Sequence, residues 1–527
     1  TNNIAKLNFV ERIKPYDVTN KLTGPISTEK AVVTFIPGME ENAAKRVRNN
    51  APIETMAETP YAKRAIVQIP NQNAVEKLAQ IPGIYSIAPY HEKKLMSEVG
   101  SQIIGGGCWV FDDDSNPSTP YRANGNYGAY ATQLGYDGTG VVTAIADTGL
   151  GSGTTPNAGH NDFTSRVIGG HDFGGSSWYD GHGHGTHCAG LMAGDTYDGN
   201  ALTYAGHGPY YLAQGLACDA DIYAERIFDA SGSWVGPSDD YQIPEIAKQN
   251  ANAYVHSNSW GASSGGAYQT SDEDYDVATR DADSSASGNQ PIILVVAAGN
   301  DGQTMFGGRV ENTVGSPGNA KNVITVAASE SYMPDAGSYG NNYDSGDNPD
   351  AIAGFSSKGW TEDGRIKPDI AAPGQSTLST STPEEGGNNL YGLYSQDSRY
   401  EWCSGTSQAT PTVSGAVAAL VEYYQTTYGT TPSPAMAKAL LINSAYDMPN
   451  DHDGDGSTDY IPNKDEGWGL VNLVPIVNPS ANVMLEDQTS LLTTGATDSY
   501  SIQYDVSGEP LKISLIWTDK NAIGSDS

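Results

Sequence analysis

The chain of 527 residues sets 28 Lys and Arg against 62 Asp and Glu, for a formal net charge of −34 and a pI near 4.4. So acidic a protein repels phosphates, which excludes nucleic acid as a partner. Its mean hydropathy is −0.43, and no unbroken apolar run is long enough to span a bilayer.

The length allows two or three domains around a large core. The acidity fits a soluble secreted protein, a calcium-rich one or one from a salty habitat. The chain opens on TNNIAKLNFV, with neither a basic start nor an apolar h-region, so any signal peptide is expected to have been removed. The next stretch alternates in period: KAVVTFIPG reads as a strand, EENAAKRVRNN as a helix and KRAIVQIP as a second strand. NAVEKLAQIPG then reads as a helix and IYSIAPY as a third strand. Basic residues concentrate here, while the acidic surplus lies mainly in the rest of the chain.

Further on, VVTAIADTG is a run of β-formers that delivers Asp147 into a Thr-Gly turn, and GHGHGTHCAG follows at Gly181–Gly190. Far downstream, SGTSQATP places Ser407 at the start of a long apolar stretch of helical character. A serine hydroxyl is a poor nucleophile at neutral pH, so a neutral imidazole must take its proton as it attacks. A buried carboxylate then holds the imidazole in the useful tautomer and stabilises the imidazolium. These roles are assigned to Ser407 as nucleophile, His184 as base and acid, and Asp147 as orienting carboxylate. The order acid, His, Ser is one of three in which such triads occur. Glycines flank all three residues (Gly149, Gly183, Gly185, Gly405), as expected where backbone must pass close to a substrate. His171, His182 and His187 compete for the base role, but only His184 opens HGTH, and the others read as structural or surface residues.

These motifs together resemble the subtilisin-like serine proteases, and the likeness extends beyond the triad. VVAAGN, ending at Asn300, is similar to the family segment whose Asn side chain donates to the oxyanion, with Ala298 and Gly299 beside it lining the substrate. SNSWG resembles the segment whose backbone pairs with an extended substrate, here Ser259, Trp260 and Gly261; affinity in such strand addition comes from main-chain bonds. A second substrate-pairing wall maps near Ser233–Gly236. VGSPGNAKNVITV and FSSKGWTEDGRIKPDIAAPG are also family-like, and Gly315 in the former maps to the floor of the pocket for the residue before the scissile bond. A glycine there implies room for a large apolar side chain. A glutamate-based relative of the sedolisin type is disfavoured because His184 is present.

The resemblance implies an α/β fold, a doubly wound parallel sheet with its site at the carboxyl ends of the strands. It makes residues 1–96 an inhibitory, ferredoxin-like propeptide, cut between Met96 and Ser97. Residues 97–478 become the catalytic domain, closing near GWGLVNL. Residues 479–527 resemble the start of the β jelly-roll of proteolysin-like alkaline subtilases, with PLKISLIWTD alternating at period two. About fifty residues cannot close such a sandwich alone, so the chain is expected to stop short of its natural end. Of the four cysteines, Cys188 reads as a buried free thiol, as in the proteinase-K-like branch that shares HGTHCAG. A disulfide among Cys108, Cys218 and Cys403 stays open.

One metal motif stands out: DHDGDGSTD places Asp451, Asp453, Asp455 and Asp459 at positions 1, 3, 5 and 9 of an EF-hand-like loop, with Gly456 at the turn. Such hard oxygens suit Ca²⁺. Pro462 stands at position 12 in place of the bidentate Glu, so affinity falls unless Asp465 or Glu466 folds back. The expected function is a secreted, self-processing serine endopeptidase acting on proteins and peptides through an acyl-enzyme, with its own propeptide as inhibitor. The alternative is a catalytically silent scaffold or binding protein of the same fold.

Overall fold

In the computed structural model, residues 30–89 are described except 37 and 59–62, together with strands at 108–111 and 120–123. Residues 134–331 are described except 196–201, 204–208, 211–212, 238 and 305–306, and residues 348–448 except 349, 383–389 and 391. Beyond these come 459–479, 483–487, 493, 495–502 and 511–519. The chain divides into two compact units, Thr1–Lys94 and Leu95–Ser527.

The first unit runs β1 (Lys30–Phe35), α1 (Glu40–Arg48), β2 (Ile53–Glu58), β3 (Lys63–Gln68), α2 (Gln72–Ala79) and β4 (Ile84–Pro89). Its antiparallel sheet has the order β2-β3-β1-β4, a split βαβ arrangement. Helix α1 carries Glu40 and Glu41 in its first turn and Arg46 and Arg48 in its last, matching the helix dipole, and buries Ala43, Ala44 and Val47. The Asn71 side chain caps α2 by accepting from the Ala74 amide at 3.1 Å. Strand β2 was not separable from sequence, because IETMAE lacks the β-branched alternation of its neighbours and pairs at the sheet edge only.

The second unit contains β5 (Cys108–Phe111), β6 (Pro120–Ala123), β7 (Val142–Asp147), β8 (Val167–Asp172), α3 (His184–Ala193), β9 (Leu202–Thr203) and β10 (Pro209–Tyr210). It continues with β11 (Asp221–Arg226), α4 (Gln242–Ala251), β12 (Val255–Asn258), α5 (Thr270–Arg280), β13 (Ile293–Ala297), β14 (Ile324–Ser329), β15 (Ile370–Pro373), β16 (Thr377–Thr380) and β17 (Tyr400–Cys403). The long α6 (Thr406–Tyr428), α7 (Pro434–Ser444) and the short α8 (Val474–Val477) close it. Seven strands form one parallel sheet, ordered β15-β14-β13-β12-β7-β11-β8. Strands β12, β13 and β14 are buried along their whole length, as a sheet covered on both faces requires. Helix α6 is apolar nearly all round and packs Val413, Val417 and Leu420 into one core with Val295 and Val326. On the other face Ala247, Tyr275 and Ala278 of α4 and α5 pack against Ala144, Leu294 and Val296.

The order of strands reverses at β7, which has β11 on one side and β12 on the other. In open α/β sheets that crevice, at the carboxyl ends, is where ligands bind. The described residues of the C-terminal segment form no strand, and Leu511, Ile513, Leu515 and Trp517 are exposed. Alternation at period two calls for a pairing partner that these residues lack among those described. Among the described residues no helix is long and apolar enough to cross a membrane.

Candidate active site

Three elements bring the predicted residues together. Asp147 ends β7, His184 is the first residue of α3, and Ser407 lies in the first turn of α6. His184 Nδ1 is 2.8 Å from Asp147 Oδ1, which also accepts from the Thr148 amide at 2.8 Å. Asp147 is buried, and its Oδ2 has no hydrogen-bond partner among the described residues. Because Asp147 Oδ1 only accepts, Nδ1 carries the proton and Nε2 is left as the basic nitrogen. Burial disfavours the charged imidazole, but the Asp147 charge and hydrogen bond outweigh it and hold the His184 pKa well above 6.5. Cys188, beside the ring, pushes it the same way, while burial raises the pKa of the thiol itself.

Helix α6 contains Pro411, whose ring nitrogen has no hydrogen to give the carbonyl four residues back. That carbonyl belongs to Ser407. It accepts instead from Ser259 Oγ at 2.8 Å and from Cys188 Sγ at 3.3 Å. The Ser407 hydroxyl in turn donates to the Ser259 carbonyl at 3.0 Å. The proline therefore frees the group by which the serine residue is tied to the end of β12.

Asn300 follows β13. Its Oδ1 accepts from the Thr406 amide at 2.9 Å and the Thr406 hydroxyl at 3.2 Å. An amide hydrogen can only be received by the oxygen, so the Nδ2 donors are turned the other way, and Nδ2 comes within 3.5 Å of the point where a Gly405 Cβ would stand. Gly299 adopts φ +106°, and its amide donates to Thr406 Oγ1 at 3.1 Å. A Cβ on Gly299 would come 2.9 Å from Ser357 Oγ. Ala298 is buried, and its carbonyl accepts the Gly315 amide at 3.0 Å. A Cβ on Gly315 would stand 2.8 Å from the Ala262 carbonyl, so close approach of two backbones alone accounts for that glycine.

Ser259 is buried, Trp260 half-buried and Gly261 exposed. Trp260 lies between Trp234 (ring centroids 5.1 Å apart) and Tyr275 (5.8 Å), and Phe228 packs edge-on to Trp234 at 5.3 Å. The segments Ser233–Gly236 and Ser259–Gly261 are thus joined by an aromatic stack that motif reading does not reveal.

Two of the competing histidines, His171 and His187, have other partners, and the third, His182, packs beside His184. His187 is wholly buried, its Nε2 bonds the Glu401 carbonyl at 3.1 Å, and burial pushes its pKa down to about 3. His171 packs edge-on to Phe173, and the His182 ring centroid is 6.3 Å from that of His184. Cys188, Cys218 and Cys403 are free and buried. Cys188 Sγ is 3.8 Å from His184 Nδ1.

Met96, Ser97, Asp451, Asp453 and Asp455 lie outside the described residues; Asp459 is described. The two candidates for the twelfth loop position have partners of their own. Asp465 is held by Arg309 through two bonds of 2.7 Å, and Glu466 accepts from Asn463 at 2.6 Å and the Met448 amide at 3.1 Å.

One residue that sequence reasoning missed is Asp180. It is wholly buried and accepts hydrogen bonds from Thr148, His182, Gly183 and Thr186. The signal available was an acid four residues before the histidine, which has no meaning until α3 is placed.

Residues 138–469 match the pattern of the subtilase family. The chain is 31% identical over 292 residues to serine protease AprX of Bacillus subtilis, covering 54% of this chain and 58% of that one. It is 30% identical over 314 residues to thermitase of Thermoactinomyces vulgaris, covering 58% and 85%. It is 27% identical over 394 residues to an extracellular serine proteinase of a Thermus species, covering 74% and 72%. The chain thus spans 58% of the length of the Bacillus subtilis relative, and 23% of that of pyrolysin from Pyrococcus furiosus.

Proposed function

The chain belongs to the subtilase family, and from that premise we propose that it is a secreted serine endopeptidase acting through an acyl-enzyme. The observation that carries this reading is the 2.8 Å bond between the buried Asp147 and His184, on elements that converge with the first turn of α6. In this reading the Ser407 hydroxyl turns from the Ser259 carbonyl toward His184 Nε2, loses its proton there and attacks the scissile carbonyl. The Asn300 Nδ2 donors meet the oxyanion that forms. His184, now protonated, gives its proton to the leaving amine, and water repeats the sequence on the acyl-enzyme. Asp147 stabilises the imidazolium throughout. Ser259, Trp260, Gly261, Ala298, Gly299 and Gly315 line the substrate, with large apolar residues preferred before the scissile bond.

Residues 1–96 act in this reading as a propeptide that inhibits the enzyme until cleavage between Met96 and Ser97, and 479–527 begin a β-domain. Asp451, Asp453, Asp455 and Asp459 would hold Ca²⁺, whose donor chemistry they suit and which would add stability by mass action. Melting temperature with calcium and with chelator, for wild type and Asp453→Ala, tests the loop; a mutant that keeps the full calcium response removes it as the main site.

Labelling with a fluorophosphonate tests the central reading. An adduct on Ser407 of propeptide-free protein is expected. Its absence would favour the catalytically silent scaffold.

A further inference from the structure

We propose that Asp180 is a positioning residue for the reaction, holding the tip of β7 and the first turn of α3 in the relation that lets Asp147 orient His184. The inference rests on the roles proposed for Asp147, His184 and Ser407.

A buried carboxylate is costly unless its oxygens are satisfied, and those of Asp180 are saturated. Oδ1 accepts from the Thr148 hydroxyl at 2.8 Å, the His182 amide at 3.0 Å and the Gly183 amide at 2.8 Å. Oδ2 accepts from the Thr186 amide at 2.8 Å and the Thr186 hydroxyl at 2.6 Å. The donors come from the residue after β7, the loop before α3 and the first turn of α3. Asp147 and Asp180 therefore grip the same Thr148, one by its amide and the other by its hydroxyl.

Both hydroxyls pass the constraint on. Thr148 Oγ1 accepts the Gly185 amide at 2.8 Å, and Thr186 Oγ1 accepts the Gly151 amide at 2.9 Å. The elements so joined are in direct contact, since a Cβ on Gly185 would stand 2.2 Å from the Gly149 carbonyl. A helix cap needs only the free amides of the first turn. Asp180 also binds the hydroxyl of Thr148, the residue directly after a separate strand whose last residue is Asp147. It thus fixes α3 relative to β7, and the Nδ1–Oδ1 bond of His184 and Asp147 spans the same joint.

The test compares Asp180→Asn, Thr148→Val and Thr148→Ser with wild type in kcat, KM, melting temperature and His184 imidazole titration, the last read on resting protein. Asp180→Asn and Thr148→Val are expected to lower kcat about 10²-fold, the scale of a small misplacement of reacting groups, with KM little changed. The His184 titration should move to lower pH as its bond to Asp147 loosens. Thr148→Ser, which keeps the hydroxyl, should restore both. A folded Asp180→Asn with wild-type kcat and an unmoved titration would overturn the proposal. So would a loss of activity that follows only the unfolded fraction, because a plain helix cap predicts that. Failure of wild type to label with fluorophosphonate would instead sink the proposed activity, and the titration would still decide the role of Asp180.

Discussion

Two networks of buried charge sit at opposite edges of the seven-stranded sheet. At the carboxyl edge Asp147 and His184 leave hydrogen-bonding capacity unused: Asp147 Oδ2 has no partner among the described residues, and the His184 side chain keeps 21% of its surface exposed. At the amino edge, just before β15, Asp369 is closed. Its Oδ1 meets Lys438 Nζ at 2.7 Å, and its Oδ2 meets Lys367 Nζ and the Thr325 amide, each at 2.8 Å. Lys367 is further bonded to Thr325 Oγ1 at 2.7 Å. Burial alone therefore does not separate a working charge from a holding one. The difference lies in pairing: among the described residues one oxygen of Asp147 is left without a partner, while both oxygens of Asp369 are engaged.

Removing the proposed reacting groups gives the largest effect. Ser407→Ala or His184→Ala should lower kcat by about 10⁶, the size found when the equivalent groups are removed from subtilisin, in peptide turnover by protein that melts normally. A folded Asp369→Asn with a comparable loss would break the contrast between the edges. Asn300→Ala should lower kcat by about 10²–10³ with KM little changed, as for such a donor in subtilisin; an equal rise in KM would place Asn300 in substrate binding instead.

Asp369→Asn leaves two buried ammonium groups without their carboxylate. Denaturant titration should show a loss of about 3–5 kcal/mol, while kcat of the folded fraction is unchanged. The pH response sharpens the comparison further. The neutral His184 is the active form, so activity should fall as pH is lowered through a pKa above 6.5. The stability that protonated His184 contributes has the opposite sense: it is fully present below 6.5 and is lost as pH rises through the folded pKa. An acid limb of kcat/KM at or below pH 6.5 would refute the assignment of His184 as the group titrating there.

The smallest effect concerns oxidation. Gln408 is buried beside the nucleophile and has no sulfur to oxidise, while the neighbouring Cys188 thiol is buried and neutral, hence slow to react. Activity should survive moderate peroxide, and Gln408→Met should be the more sensitive protein. If wild type were inactivated as fast as Gln408→Met and Cys188→Ala were spared, the cysteine would control the response.

The motifs around Asp147, His184, Asn300 and Ser407 were legible because each packs its residue and turn glycines into ten residues or fewer, on elements whose period is plain. The first unit was legible as alternating strands and helices, apart from β2, whose pattern is weak. Lys438 could not be connected with Lys367 and Asp369, nor Trp234 with Trp260. Those contacts cross long stretches of chain, and no local period encodes them. The alternation at Leu511–Trp517 shows the converse, since a strand pattern needs a partner strand and none is paired with it among the described residues.

What the sequence by itself determined is the set of chemical groups, their order and the kind of element that carries each, because side-chain pattern and turn chemistry act over a few residues. The tertiary structure alone decided how they meet. It turned the Ser407 carbonyl, freed by Pro411, toward Ser259, and it set the direction of the Asn300 amide through Thr406. It also gathered five donors from three segments onto Asp180. The physical reason is the same in each case. A buried polar group must find partners, and which partners are within reach depends on the packing of the parallel sheet and its helices.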